Sequence, residues 1–199
     1  GSMGGAIGGA KATAGSVLTT LSGLGNVASG TGWYADPTFN GVKTNLSTTA
    51  ANTIASINSL DACNAGSGFN SALCGGDFPE VGFDGVRDAA QNASWRAGSN
   101  RFIVVFGDAT FKTTATGTLA NTLAALGANN VDLIGVNFGS IAGDITALGG
   151  DVFASSTAPG DIANAIISGI TGSLAEYDEV TVGDLGGGDA RRRQALRSQ

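Results

Sequence analysis

The sequence predicts an α/β protein with a doubly wound, mostly parallel central sheet and helices on both faces. Helical and strand-like patterns alternate along the chain at the spacing of α/β units. A run of five apolar residues, Phe102–Phe106, and a second apolar segment, Val131–Phe138, have the composition of strands buried on both faces, as in a parallel sheet. With 199 residues, 42% of them hydrophobic, the chain is long enough for one domain with a core.

The first half of the chain is predicted to contain three helices, one strand and a long loop. Apolar residues recur at helical spacing in the first two helical segments, and the strand is a short aromatic segment that ends in a turn. The predicted helices are 4–24, 48–60 and 80–94, the strand and turn are Trp33–Pro37, and the loop is 61–79.

The second half alternates strands and helices. Its final helix begins at Pro159-Gly160-Asp161, a typical helix start. The predicted strands are 101–107, 131–138, 152–154 and an edge strand at 179–182, and the helices are 115–126, 141–148 and 160–173. Residues 183–199 are Gly-rich and then basic, and we expect this tail to be disordered.

Composition excludes several chemistries. The chain has no histidine and two cysteines, so it cannot by itself form a Ser-His-Asp triad, a His-ligated metal site or a four-thiolate site. A bound metal would have oxygen ligands, as Mg²⁺, Ca²⁺ and Mn²⁺ prefer. The net charge is −6, and four of the ten basic residues lie in the tail, so we expect no nucleic-acid partner. No apolar run is long enough for a membrane span.

Acidic residues follow the predicted strands. Asp108 comes directly after strand 101–107, Asp36 lies in the turn after Trp33-Tyr34, and Asp77 and Glu80 flank the Pro79 carbonyl before a helix. Ligands of doubly wound sheets bind outside the carboxyl ends of the strands. Carboxylates crowded there would repel one another unless a cation lay among them, so their convergence would imply a metal.

Each acidic residue also has a structural interpretation. Asp77 and Glu80 are residue types that commonly cap helix N-termini or interact with the helix dipole. Asp36-Pro37 is an ordinary way to open a turn. Of these acidic residues, Asp108 is the hardest to explain by a structural role, because it follows a buried strand directly.

Three segments resemble von Willebrand factor A domains, in particular the A-like domains of integrin β subunits and their secreted bacterial relatives. They are G-G-D-F-P-E-V-G-F-D-G-V at 75–86, S-W-R-A-G-S-N-R-F-I-V-V-F-G-D-A at 94–109 and N-N-V-D-L-I-G-V at 129–136. The order of elements agrees with the family up to about residue 182. The resemblance therefore implies a single A-like domain over residues 1–182.

The resemblance implies a metal-ion-dependent adhesion site at one end of the sheet. Ser2 matches a serine of the family's first metal loop, Glu80 the acidic ligand of the second and Asp108 the aspartate of the third. Asp36, Asp77, the Pro79 carbonyl and Glu80 match the ligands of a neighbouring cation site, in which Gly75 replaces an asparagine. A further integrin site is expected to be absent, because Gly5 and Ala6 replace its two acids. The expected ion is Mg²⁺ or Ca²⁺, with Mn²⁺ as an alternative.

The start of the chain has two interpretations. Gly1-Ser2-Met3-Gly4 resembles the end of the family's serine loop, in which case the first strand and the anchoring aspartate of that loop precede residue 1. Alternatively, Gly-Ser is the remnant of a cleaved tag before a start methionine. On either interpretation, the A-like domain of residues 1–182 lacks the family's first strand.

The two cysteines occupy the position of the integrin specificity loop. The resemblance makes a local Cys63–Cys74 disulfide and an extracellular or cell-surface location the expectation, with two free thiols as the alternative.

The implied function is adhesion or protein binding, in which a cation is bound by an acidic group of a partner, and no catalysis is expected. The alternative is a related interaction module that works without metal. A nucleotide-binding enzyme is disfavoured, because Gly23-x-Gly25 lacks the third glycine of a dinucleotide motif and Ala10 replaces the lysine of a phosphate loop.

Overall fold

The computed structural model describes residues 2–60 and 78–183, with only the backbone described for 177–183. The helices are α1 Gly4–Ser22, α2 Ala50–Asn58, α3 Gly82–Asn92, α4 Leu119–Asn129, α5 Ala142–Ala147 and α6 Pro159–Gly183. The strands are β1 Ser29–Ala35, β2 Thr38–Ser47, β3 Arg101–Gly107, β4 Val131–Asn137 and β5 Asp151–Ala154.

The described strands form two sheets. β3, β4 and β5 form a parallel sheet in that order, with Arg101 opposite Val131 and Ile134 opposite Asp151. β1 and β2 form a separate antiparallel hairpin, in which Tyr34 is opposite Phe39. The predicted α/β class and the parallel pairing of three strands are confirmed, whereas the single central sheet is replaced by two.

Helices cover both faces of the parallel sheet, because β4 is apolar on both. Leu133 points into the main core, which α3, α4 and α5 also line. The neighbouring Ile134 is fully buried on the other face, where it contacts α6 at Gly169. Successive residues of a strand point to opposite faces, so the apolar run predicts this double coverage.

Helix α1 packs between α2 and α6. At Gly9, a Cβ atom would lie 2.4 Å from the carbonyl oxygen of Thr157 and 2.6 Å from Ile162. Only glycine permits this approach, which explains why a residue with poor helix propensity lies inside the helix.

Helix α2 packs on the hairpin through hydroxyl groups. Ser29 and Thr53 are joined by a 2.7 Å hydrogen bond, and Ser56 bonds both Thr31 and Thr44. Thr53 and Ser56 are buried. We call these five residues the hydroxyl seam.

Two element predictions are wrong. β2 was not predicted, because its ten residues have no continuous apolar run and lie in a half-exposed hairpin. The predicted edge strand 179–182 instead belongs to α6, which continues to Gly183. Neither glycine nor proline interrupts the chain between Ser173 and Val182, so no strong stop signal ends the helix earlier. Within the described residues, no helix is long and apolar enough to cross a bilayer.

Candidate functional site

The carboxyl ends of β1, β3 and β4 lie at one end of the molecule and are followed by acidic residues. Asp36 follows β1, Asp108 follows β3 and Asp144 lies in α5, shortly after β4. The Asp108 carbonyl accepts a 3.0 Å hydrogen bond from the Ser140 N–H, which ties the segments after β3 and β4 together. Of the predicted site residues, Asp36 and Asp108 each follow a strand directly.

Glu80 is held beside these residues by a short backbone bridge. Its N–H donates a 2.9 Å hydrogen bond to the Thr110 carbonyl, and its own carbonyl accepts one of 2.7 Å from the Lys112 N–H. Glu80 and Phe111 thus pair as an isolated parallel bridge. The segment after β3 therefore fixes the position of Glu80, which lies before α3, and also carries the basic residue Lys112.

Asp36, Glu80 and Lys112 form a connected triad of charges. The Asp36 N–H donates a 2.6 Å hydrogen bond to Glu80 Oε2, and the Lys112 ammonium contacts Asp36 Oδ1. The Asp36 side chain is 11% exposed and that of Lys112 is 32% exposed. A largely buried carboxylate requires a compensating charge, and Lys112 supplies it.

The Tyr34 hydroxyl lies in a buried region of negative electrostatic potential. It donates a 2.8 Å hydrogen bond to the Phe106 carbonyl. Burial raises the pKa of this hydroxyl well above its usual value, and the negative charges of Glu80, Asp108 and Asp144 raise it further. The three carboxylates therefore act on a common point. We call Asp36, Glu80, Asp108 and Asp144 the carboxylate cluster.

Phe111 forms the apolar base of the site. Its ring makes edge-to-face contacts with Tyr34 and Phe83, and its N–H donates a 2.9 Å hydrogen bond to Asp144 Oδ2. A Cβ on Gly82 would lie 2.1 Å from this ring, so glycine is needed where α3 begins. One residue thus connects the carboxylate cluster to the core.

The structure brings together only part of the predicted site. Asp36 and Glu80 are in contact, and Asp108 lies at the same end of the sheet. Ser2 is exposed in the turn before α1, and Pro79 is exposed beside Glu80. Asp77 and the Cys63–Cys74 pair lie outside the described residues.

The structural alternatives have different outcomes. Asp36-Pro37 does form the turn of the β1–β2 hairpin, so that interpretation is confirmed. Helix α3 has no side-chain cap, and the first-turn acid is Asp84, whereas the Glu80 carboxylate bonds Asp36 instead. Capping by Glu80 is therefore wrong.

Three residues of the site were not predicted as functional. The sequence predicts only a strand position for Tyr34 and no role for Lys112 or Asp144. A sequence signal existed for Lys112, because it follows Asp108 by four residues in the same strand-end segment. Asp144 carried a weaker signal, as an acid near the start of a short helix after a buried strand.

The donor chemistry suits a hard cation, because carboxylate oxygens are the preferred ligands of Mg²⁺ and Ca²⁺. Against this, the Lys112 ammonium already contacts Asp36 Oδ1. In the described part of the chain, no group of three or more Asp, Glu, Cys or His side chains is arranged so that it could hold a metal ion. A divalent ion at Asp36 would thus have to displace Lys112.

Comparisons with known proteins give no independent assignment. No protein-family description matches the chain. No curated protein matches it at a significant level either.

Proposed function

We propose that the chain is a non-catalytic, extracellular protein-binding domain of the von Willebrand factor A type. In this proposal, a divalent cation at the carboxylate cluster binds an acidic group of a partner protein. Asp36, Glu80 and Asp108 would hold the ion, together with Ser2, Asp77 and the Pro79 carbonyl, which the resemblance adds as ligands. The two observed sheets would then be parts of one doubly wound sheet.

The observation that carries the proposal is the charge imbalance at the strand ends. Four carboxylates, Asp36, Glu80, Asp108 and Asp144, lie in one region, and Lys112 supplies a single positive charge there. Clustered carboxylates repel one another and attract a cation into the space between them. Mg²⁺, Ca²⁺ or Mn²⁺ would relieve that repulsion and keep a coordination position for an incoming carboxylate.

A calorimetric titration with MgCl₂, CaCl₂ or MnCl₂ tests the cation site. We expect binding by the unmodified chain and at least tenfold weaker binding by Glu80→Ala. Asp151→Asn is the matched control, because Asp151 lies at the amino end of β5, at the opposite edge of the sheet. Equal cation affinity in the unmodified chain and Glu80→Ala would remove Glu80 from the site.

Acetate serves as a probe for the carboxylate of a partner. In the Mn²⁺-loaded protein, we expect enhanced relaxation of the acetate methyl protons, and EDTA should abolish it. The Glu80→Ala variant should give no enhancement beyond that of free Mn²⁺.

A second candidate is a metal-independent interaction module, which the Lys112–Asp36 ion pair favours. In that case the ammonium of Lys112 would be the group that meets an acidic partner. Acetate would then shift the Lys112 resonances in the presence of EDTA, and Mg²⁺ would have no effect on the protein.

The extracellular part of the proposal rests on Cys63 and Cys74. A disulfide between them would be stable in an oxidising compartment. Mass spectrometry of the intact chain with and without reductant is expected to differ by two hydrogens. Two alkylatable thiols in the unreduced, natively secreted chain would contradict the disulfide.

A further inference from the structure

Asp36 and Lys112 bring a carboxyl group and an amine into direct contact. The Lys112 ammonium contacts Asp36 Oδ1, and Asp36 as a whole is only 8% exposed. This Oδ1 atom is buried, and within residues 2–60 and 78–183 no hydrogen bond reaches it. The partner of the carboxyl oxygen is therefore the lysine nitrogen, and an amine and a carboxyl group are the two components of an amide.

Glu80 holds the backbone of both residues. The Asp36 N–H donates a 2.6 Å hydrogen bond to Glu80 Oε2, and the Lys112 N–H donates one of 2.7 Å to the Glu80 carbonyl. The two side chains thus project from backbone segments that one residue fixes relative to each other. Well-oriented groups within one molecule can react as if they were present at about 10⁵ M or more. Glu80 is therefore a positioning residue for a reaction between them.

The surroundings of the pair are apolar on one side. Phe111, directly before Lys112, is buried, and its ring lies edge-on to that of Tyr34, with 5.7 Å between the ring centroids. In bulk water an ammonium and a carboxylate do not condense, because two hydrated ions would be lost. A buried carboxylate has already lost much of its hydration, so the neutral product is less disfavoured here. The exposed third of the Lys112 side chain provides a path by which water can leave.

We propose that Lys112 Nζ and Asp36 Cγ form an intramolecular isopeptide bond. The ammonium first passes a proton to the carboxylate that it contacts, which leaves a neutral amine and a neutral carboxylic acid. The amine lone pair then attacks Cγ, the bond between Cγ and Oδ1 breaks, and a second proton from the nitrogen leaves with Oδ1 as one water molecule. The product is a neutral amide whose carbonyl oxygen is Oδ2. The balance needs no oxidant, reductant or further reactant.

The bond connects two parts of the fold that share no backbone ladder. Asp36 lies in the turn of the β1–β2 hairpin and Lys112 follows β3, and in the described part of the chain these strands belong to separate sheets. Condensation removes one positive and one negative charge, so the net charge of the region is unchanged. The inference goes beyond the proposed cation site and does not require it, because Asp36 then presents an amide oxygen in place of a carboxylate. The ion pair is the state before the bond forms.

Intact mass spectrometry of the purified full chain tests the bond. The folded protein is incubated in EDTA, so that no divalent cation competes for Asp36. It is then denatured in reductant, so that a disulfide does not alter the mass. We expect a mass lower than that of the sequence by one water molecule. A mass equal to that of the sequence after prolonged incubation would overturn the proposal.

Digestion with trypsin locates the bond. Trypsin cleaves after a lysine only when its side chain is free, and the next basic residue after Lys112 is Arg191. The bond should therefore abolish the peptide 102–112 and produce a branched peptide that joins 12–43 to 102–191, which fragmentation identifies. Loss of water with peptide 102–112 intact would place the dehydration elsewhere, for example in a cyclised aspartate, and would also overturn the proposal.

Lys112→Arg is the matched variant, because arginine keeps a positive charge beside Asp36 but lacks a nucleophilic amine. It should retain the full mass, whereas Lys43→Arg, in β2, should lose one water molecule like the unmodified chain. Loss of water by Lys112→Arg at the same level as by the unmodified chain would refute the bond.

Two substitutions test the positioning by Glu80. Glu80→Gln keeps an oxygen that can accept the Asp36 N–H, so it should keep the bond. Glu80→Ala should lower the linked fraction at least tenfold under the same incubation. Equal linked fractions in the two variants would show that Glu80 does not position the pair.

Discussion

The backbone N–H of Asp36 donates a 2.6 Å hydrogen bond to the Glu80 carboxylate, although 44 residues separate them in the chain. This bond joins the turn of the hairpin to the segment before α3. Because the Glu80 backbone is also bridged to the residues after β3, a single residue connects both sheets at their carboxyl ends, through its side chain on one side and its backbone on the other. The Glu80 carboxylate is therefore oriented before any ligand arrives.

Replacing Lys112 with methionine tests whether its ammonium competes with a cation at Asp36. We expect Lys112→Met to bind Mg²⁺ or Ca²⁺ at least tenfold more tightly, because the Asp36 carboxylate then lacks its counterion. In EDTA, the variant should be about 1 kcal/mol less stable to urea, since the lysine is about a third exposed and solvent screens the pair. Calorimetric titration measures the first effect and urea unfolding the second.

Lys11→Met is the matched control, because Lys11 lies in α1, outside the carboxylate cluster. It should leave cation affinity unchanged. A Lys112→Met variant with the cation affinity of the unmodified chain would refute the competition.

The raised pKa of Tyr34 predicts a loss of stability at high pH. In the unfolded chain this hydroxyl ionises near pH 10, but in the folded protein it stays protonated to higher pH. Above pH 10 the unfolded state therefore binds fewer protons at this group, and the free energy of unfolding falls as pH rises. Tyr34→Phe removes that contribution.

Urea unfolding of both proteins between pH 8 and pH 11.5 measures this effect. At pH 8, Tyr34→Phe should be about 1 kcal/mol less stable, because the hydrogen bond to Phe106 is lost. The difference should shrink above pH 10 and then change sign. A difference that stays constant across the range would mean that Tyr34 ionises normally in the folded state.

Asp84 stabilises the loop before α4 from a position that is only 1% exposed. Its carboxylate accepts hydrogen bonds of 2.7 and 2.8 Å from the hydroxyls of Thr114 and Thr116, and it lies 3.4 Å from Arg87. We expect Asp84→Ala to reduce the free energy of unfolding by about 3 kcal/mol, because charge-assisted hydrogen bonds are lost in a buried site. Urea unfolding measures this, with Asp88→Ala, one turn further along α3 and more exposed, as the comparison. Equal effects of the two variants would argue against a special role for Asp84.

Two glycine substitutions in helices should have opposite effects. Gly82→Ala places a methyl group 2.1 Å from the Phe111 ring and should destabilise the fold by about 2 kcal/mol or more. Gly127→Ala, in α4, meets nothing within 4 Å and should stabilise it by about 0.5–1 kcal/mol. Thermal melts compare the two. A stable Gly82→Ala variant would show that Phe111 can move aside.

Local pattern was enough to predict most of the fold. The apolar run of β3 and the helical spacing of α2 and α3 indicate their elements to within a few residues. β2 escaped prediction because its partner, β1, supplies the pairing and the hydroxyl seam supplies much of its packing. Neither contact leaves a periodic apolar signal in Thr38–Ser47 itself.

The site was harder to predict than the fold. Asp36 and Asp108 are predicted site residues because acids that follow strands converge by topology, and Glu80 is predicted from its place in the acidic segment before a helix. The role of Lys112 depends on where the segment after β3 turns, which is set by the bridge between Phe111 and Glu80. A single sequence gives no direct indication of such a long-range backbone contact.

The hydroxyl seam affects how the protein responds to heat. Burial of polar groups lowers the heat-capacity change of unfolding, whereas burial of apolar groups raises it. Helix α2 contacts the hairpin through hydrogen bonds among the hydroxyl groups of Ser29, Thr31, Thr44, Thr53 and Ser56. Its detachment should therefore have a small heat-capacity change and form a separate, low-energy opening of the native state. The apolar core around β4 should open only with the whole molecule.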